Sequence, residues 1–242
     1  MEGPLALTYV GTAAESASIV VRGYFDVEMF TPRWFLDRKL IGQAEYDNQS
    51  IEVFGPEIRG FILDWLSFSV EAETMQFQTA NPEEFFRLRD AAMGTLRLLE
   101  DVEVSAVGLN HEHHLYVSSE EDLHAVGYTL VPKKPWSNLV PDSKMLSLII
   151  RGTPVEGYSG YNQVKVEPSN LFGDAIYVSN NEHFSLRGDE AIDVMDNDPY
   201  ASPTSEKRLL AIRILGDEWT DSLQRVEDRA IGVCNLSREV EL

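Results

Sequence analysis

The stretch Ser18-Ile19-Val20-Val21-Arg22-Gly23 returns later in the chain as Ser147-Leu148-Ile149-Ile150-Arg151-Gly152. Each copy is a run of apolar and β-branched residues that ends at a glycine, a pattern typical of a short strand. A second similar pair, Ala106-Val107-Gly108-Leu109 and Ala230-Ile231-Gly232-Val233, closes the two halves of the chain. The same signals in the same order predict an internal duplication. We therefore expect an α+β protein with two pseudo-repeated halves, each an antiparallel sheet with a helix packed on one face.

Between its two copied stretches, the first half contains both helix and strand signals. Thr31 followed by Pro32 predicts a short helix that ends near Gly42, because threonine is a good N-cap and proline suits the first helical position. Strands are predicted at 51–54 and within 61–77. A longer helix is predicted after Asn81-Pro82, with an apolar stripe formed by Phe85, Leu88, Ala92, Leu96 and Leu99.

The second half shows a similar order with more interruptions. Strands are predicted at 145–150 and 164–166, and a hairpin over 175–186 that turns at Asn180-Asn181. Residues 210–215 alternate and favour a strand ended by Gly216, with a helix from Glu206 as the alternative. Trp219, Leu223 and Val226 favour a helix before the last strand.

A proline-rich segment separates the halves. Residues 127–144 contain Pro132, Pro135 and Pro141, which favour an extended surface connector because proline fixes φ and removes a hydrogen-bond donor. The predicted division is a first half at 1–126, a connector at 127–144 and a second half at 145–242.

Composition and charge limit the classes of function. The net charge of −20 disfavours direct binding to a nucleic-acid backbone, which requires clustered Lys and Arg. A single cysteine, Cys234, allows no intrachain disulfide, and the N-terminal residues do not form a signal peptide. No apolar run reaches the length of a membrane span. We expect a cytoplasmic protein with no membrane contact and, because no glycine-rich phosphate loop is present, no cofactor.

The richest chemical pattern is Asn110-His111-Glu112-His113-His114. In a strand, His111 and His113 point to one face, and Glu112 and His114 point to the other. Two imidazoles on one face are candidate metal ligands, although a site needs at least one more ligand and the spacing matches no usual zinc motif. The alternatives are a polar strand that faces a partner and ordinary surface or core-edge histidines.

Two other segments are candidate partner-binding sites. Lys133, Lys134 and Trp136 place a basic, aromatic patch on an acidic protein, and aromatic side chains are enriched at interface centres. The second segment is an irregular acidic stretch that includes Asp193, Asp196 and Asp198. Long irregular stretches of this kind are often functional or disordered.

These patterns favour a binding protein over an enzyme. The first hypothesis is a cytosolic acidic interaction protein, a subunit or accessory of a bacterial or phage-derived assembly, with a protein partner and with homo-oligomerisation left open. The first alternative is a metal-dependent hydrolase that uses the face of His111 and His113. The second is an acidic mimic of nucleic acid that inhibits a DNA-binding protein. No motif is specific enough to name a family.

Overall fold

A single nine-stranded sheet organises the molecule. The structure, a computed structural model, describes residues 9–186 and 204–236. The strands in chain order are β1 (Tyr9–Gly23), β2 (Ser50–Phe54), β3 (Ile58–Ile62), β4 (Ser67–Glu71), β5 (Thr74–Thr79), β6 (Val104–Val117), β7 (Leu148–Gly152), β8 (Gly160–Pro168) and β9 (Ala175–Ser185). Their order across the sheet is β2-β3-β4-β5-β1-β6-β9-β8-β7, and every neighbouring pair is antiparallel. Strands β2 and β7 therefore form the two edges.

Helices cover one face of this sheet. They are α1 (Pro32–Asp37), α2 (Gln43–Asp47), α3 (Phe85–Leu98), α4 (Glu120–Leu130) and α5 (Thr204–Asn235). The 32-residue α5 packs against both β6 and α3. Within the described part of the chain, none of the helices is both long enough and apolar enough to cross a membrane.

Two apolar clusters lie between the helices and the sheet. The larger joins β1, β4 and β5 to α1, α3 and the first half of α5, with Phe35, Phe68 and Trp219 among its fully buried side chains. The smaller joins β6, β8 and β9 to α4 and the end of α5, and it includes Leu115 and Cys234. Helix α5 contributes to both clusters, as do strands β6 and β9.

Local sequence signals explain where the early helices begin. The Thr31 side chain accepts a hydrogen bond from Trp34 N at 3.1 Å, which confirms the predicted N-cap of α1. The helix after Asn81-Pro82 is also confirmed, although it opens with a 3₁₀ turn and becomes α-helical only at Phe85.

The α+β class and the antiparallel sheet are confirmed, but the two pseudo-repeated halves are not. The sheet is continuous, with Val20 on β1 near its middle and Ile149 on its edge strand β7. The predicted strand Ala230–Val233 is wrong, because these residues are helical and belong to α5. The similar stretches therefore occupy different structural positions. The division at 127–144 stays a prediction.

Three local expectations are also wrong. Residues 175–186 do not form a hairpin, since β9 runs through Asn180-Asn181 without a turn. Residues 210–215 are helical, and Gly216 lies inside α5, where a Cβ would stand 3.5 Å from Met93 of α3. The connector is not extended, because α4 continues to Leu130 and turns follow it.

Candidate functional site

Strand β6 places its polar residues on alternate faces, as the histidine-rich sequence predicts. His111 and His113 are buried on the face covered by α5, whereas Glu112 lies on the other face, where it accepts a hydrogen bond from Ser16. The His111 Nε2 atom lies 3.2 Å from Ser222 Oγ of α5, and its ring lies 5.2 Å from that of Trp219. Both predicted metal ligands therefore lie beneath a helix.

A buried ion pair lies beside these histidines. Glu182 of β9 has no exposed side-chain surface, and it accepts two hydrogen bonds from Arg225 of α5, at 3.0 and 2.7 Å. Arg229, one turn further along α5, donates to the same carboxylate at 3.0 Å and to Asn180 at 2.8 Å. Charged side chains of α5 are thus bound to the sheet between the two apolar clusters.

Burial and neighbouring charges set the ionisation of this group. Burial alone raises the pKa of Glu182, but hydrogen bonds from Arg225 and Ser222 and the nearby positive charges leave that pKa below its usual value. Burial lowers the pKa of His111 to about 3, with a further contribution from His113. Burial also lowers the pKa of His113 to about 4. The cluster holds a carboxylate and two neutral imidazoles at neutral pH.

The geometry offers little support for the predicted metal site. His113 Nε2 lies 4.0 Å from Glu15 Oε2, and the Nδ1 atoms of His111 and His113 have no hydrogen-bond partner. Across residues 9–186 and 204–236, however, no three His, Cys, Asp or Glu side chains are grouped so that they could hold a metal ion. We interpret this closed cluster as the attachment of α5 to the sheet.

A different part of the molecule presents its side chains to solvent. We call it the β7 surface; it comprises the edge strand β7 and the segment 133–147 that leads to it. Met145 and Leu148 are partly buried. The exposed large apolar side chains of this surface, between 46% and 82% exposed, are Trp136, Leu139, Val140, Leu146, Ile149 and Ile150. Both faces of β7 are apolar and its outer backbone edge pairs with no described strand, so this edge is open to a further strand.

The segment before β7 has a defined conformation. Trp136 N donates to Lys133 O at 2.8 Å, and Trp136 O accepts from the amides of Leu139 and Val140 at the same distance. The Lys133 ammonium lies 3.6 Å from the centre of the Tyr128 ring on α4. Lys134, the third predicted contact residue, is exposed in the same turn. The three predicted residues therefore share one turn attached to α4.

A cavity is lined by α4 and by the residues that shortly precede β7. It has a volume of about 230 Å³ and lies between α4, residues 144–146 and the paired ends of β8 and β9. Most of its lining is apolar, and Lys144, His124 and Glu167 are among its polar lining residues. The strongly exposed Leu146 also borders it. The cavity is large enough for one apolar side chain of a partner.

The charge of the β7 surface is opposite to that of the whole protein. Residues 131–155 contain four basic side chains and one acidic side chain, whereas the chain carries −20. Arg151 on β7 lies over the Tyr161 ring at 4.0 Å, and Lys165 on β8 stands directly opposite Ile149. The surface therefore combines apolar side chains with a local positive charge.

Other predicted contact residues, Asp193, Asp196 and Asp198, lie outside the described residues. The sequence predicted a strand that contains Ile149 and Ile150, but it did not predict that these side chains are exposed. An apolar run predicts a strand equally well at the edge and in the centre of a sheet. The lysines and prolines that flank this run were the available signal, since edge strands often carry them. Helix α4 was also missed, although Ser119 followed by three acidic residues is a typical helix start.

No protein-family model matches the chain, and no curated protein is significantly similar to it. Function must therefore be argued from the two sites described above.

Proposed function

We propose that this protein is a binding protein, a subunit or accessory of a larger assembly, which contacts a protein partner through the β7 surface. The observation that carries the proposal is the edge strand β7, in which Ile149 and Ile150 are 57% and 55% exposed on opposite faces. An open edge of this kind binds an extended segment through backbone hydrogen bonds, while the side chains on either face select the partner.

The surroundings of β7 favour a specific interface over non-specific pairing at an open sheet edge. Trp136 is an aromatic anchor in a turn attached to α4, and the 230 Å³ cavity beside Leu146 accepts an apolar side chain. Anchors in pockets account for much of the binding energy at most interfaces. The lysines around them add attraction to acidic partners and increase the association rate.

The closed cluster of His111, His113 and Glu182 supports catalysis much less well. Its central carboxylate is inaccessible and is already bound by two arginines. A substrate would have to displace α5 before it reached either imidazole. The β7 surface needs no such rearrangement.

Quantitative affinity capture from the native host tests the proposal. The full-length protein is compared with Ile149→Lys, Trp136→Ala and the control Leu209→Lys, whose parent leucine is 55% exposed on α5. We expect one or more proteins to be retained by wild type and by the control, and to be depleted at least tenfold by Ile149→Lys. A set of captured proteins that is identical for all variants would place the interface elsewhere.

The same complexes separate the contributions of charge and of apolar contact. Trp136→Ala should accelerate dissociation at least tenfold, which corresponds to about 1.4 kcal/mol, with little dependence on salt. Raising the ionic strength should slow association, because exposed charges are screened beyond about 8–10 Å. Surface plasmon resonance with a captured partner measures both rates.

A further inference from the structure

The second edge of the sheet has a surface chemistry complementary to that of the first. Strand β2 at this edge has five residues, as β7 has, and its Ile51 and Phe54 are 50% and 59% exposed. Residues 45–57 contain four acidic side chains and no basic one. Glu45 is paired with Arg87, and Arg59 of β3 lies over the Phe54 ring, so the negative charge of this edge comes from Asp47, Glu52 and Glu57. This edge is therefore apolar with a net negative charge, while the β7 edge is apolar and basic.

We infer that β7 of one copy of this chain pairs with β2 of a second copy, so that the sheet continues from molecule to molecule. This inference rests on the proposed function, since it names the partner of the β7 surface. Backbone hydrogen bonds between the two edges would satisfy groups that now face solvent. Exposed Ile51 and Phe54 share one face of β2 and would meet exposed Ile149 on β7.

Charge decides between this arrangement and the two symmetric ones. Antiparallel pairing of β7 with β7 brings the two copies of Arg151 close together, and pairing of β2 with β2 does the same for Glu52 at the middle of that strand. Like charges that face each other across paired strands are destabilising. Pairing β7 with β2 brings opposite charges together, as specific interfaces generally do.

The topology of the sheet determines how the copies are oriented. With nine strands that are all antiparallel to their neighbours, the two edge strands run in the same direction. An antiparallel contact between β7 and β2 therefore requires the second copy to be turned over. The helix layers of successive copies then lie on opposite sides of the shared sheet.

Such a contact is head-to-tail and leaves one free edge at each end. Assemblies of this type grow into open chains unless a rotation closes them into a ring. The contact is short, and β2 has a register shift between Ile51 and Val53 that interrupts its regular pairing. We expect weak association that increases with protein concentration and continues beyond the dimer.

The test uses two single-edge variants of the full-length protein. Ile149→Lys blocks β7, and Ile51→Lys blocks β2, because lysine on an edge strand opposes further pairing. Using lysine at both positions prevents the two substituted edges from attracting each other. Glu100→Gln, at an exposed position outside both edges, is the control for the change of one unit in net charge. Circular dichroism and thermal melting check that each variant is folded.

Sedimentation velocity over a hundredfold range of concentration gives the result. We expect the wild type and the control to shift to larger species, and each edge variant alone to remain a monomer. A mixture of the two variants should form a dimer and nothing larger, since only one intact β7 and one intact β2 are available.

Two results would overturn the inference. One is a wild type that stays monomeric throughout, and the other is dimerisation of either edge variant by itself, which would show symmetric pairing. The proposed function is judged separately. If affinity capture of another protein is lost in Ile149→Lys and retained in Ile51→Lys, the β7 surface has a foreign partner even though the chain does not self-assemble.

If both edge variants fail to fold, charge-reversal variants decide instead. Glu52→Lys with Glu57→Lys should reduce self-association at least tenfold, and adding Arg151→Glu to that same protein should restore part of it. Self-association that is unchanged by these substitutions would also contradict the pairing of β7 with β2.

Discussion

Similar arginine–glutamate ion pairs are buried on one face of the sheet and exposed on the other. On the helix-covered face, Arg225 binds the inaccessible carboxylate of Glu182. On the other face, which we call the polar face, Arg22 pairs with Glu73 while both side chains remain about half exposed or more. The same arginine–glutamate chemistry is therefore desolvated on one side of the sheet and hydrated on the other.

Polar side chains dominate the centre of the polar face. A row across five neighbouring strands contains Gln78, Ser18, Asn110, Asn181 and Gln163. Each of these residues is only partly buried. Burial, more than residue type, therefore sets how much a polar group contributes to the stability of this protein.

The largest effect is expected when the buried ion pair is broken. Arg225→Met leaves the buried Glu182 carboxylate with Arg229 as its remaining arginine partner, and should lower the free energy of unfolding by about 3 kcal/mol or more. Arg22→Met is the matched control and should cost at most about 1 kcal/mol, because its ion pair is exposed. Urea denaturation of the two variants measures both values, and equal losses would mean that the two ion pairs do not differ as described.

An intermediate effect is expected from pH. The pKa values of about 3 and about 4 for His111 and His113 lie below the unfolded value of about 6.5. Below pH 6.5 the unfolded chain takes up protons that the native state does not, so stability falls as the pH falls. Each histidine should cost up to about 1.4 kcal/mol per pH unit until its native pKa is reached.

Between pH 6.5 and pH 4.5 the buried histidines dominate the pH dependence, and because burial also lowers the pKa values of His114 and His183, a variant is needed to separate the share of His111 and His113. Stability that depends on the depressed pKa of Glu182 is lost only at lower pH, as the pH falls through that native pKa. We expect the double variant His111→Leu/His113→Leu to have a flatter stability profile than wild type in this interval. Identical slopes in chemical denaturation at several pH values would show that the imidazoles are not desolvated.

The smallest effect is expected on the polar face. Asn110 donates one long hydrogen bond, 3.4 Å, to the backbone of Ser18 and is partly solvated. Asn110→Ala should therefore change the free energy of unfolding by about 0.5 kcal/mol. A loss above about 2 kcal/mol in the same denaturation assay would indicate that this face is covered in solution.

Much of the helical structure could be predicted from the sequence, but the full length of α5, the longest helix, could not. In α5, fully buried residues recur every three or four positions: Ala211, Leu215, Trp219, Ser222, Val226, Ala230 and Cys234. The stripe was hidden because Leu210, Ile212 and Ile214 also alternate, and because Gly216 suggested a break. A Cβ at Gly216 would stand 3.5 Å from Met93, an ordinary contact distance, so nothing in the structure requires glycine at this helical position.

Strand β9 shows the same limit for polar residues. Asn180 and Asn181 favour a turn when they are considered alone. In the structure Asn180 binds Arg229 of α5, and Asn181 stands opposite Asn110 in the ladder with β6. These partners come from distant parts of the chain, so a local sequence pattern does not predict them.

The features that could be predicted from the sequence alone are those with local causes. These are the N-cap at Thr31, the apolar stripe of α3, the alternation of His111 and Glu112, and the overall negative charge. Which strands lie at the edges, and which apolar residues remain exposed there, depends on the tertiary structure. Strand position depends on pairing between residues far apart in the chain, such as Ser18 with Asn110, and the residue pattern within one strand does not specify its neighbours.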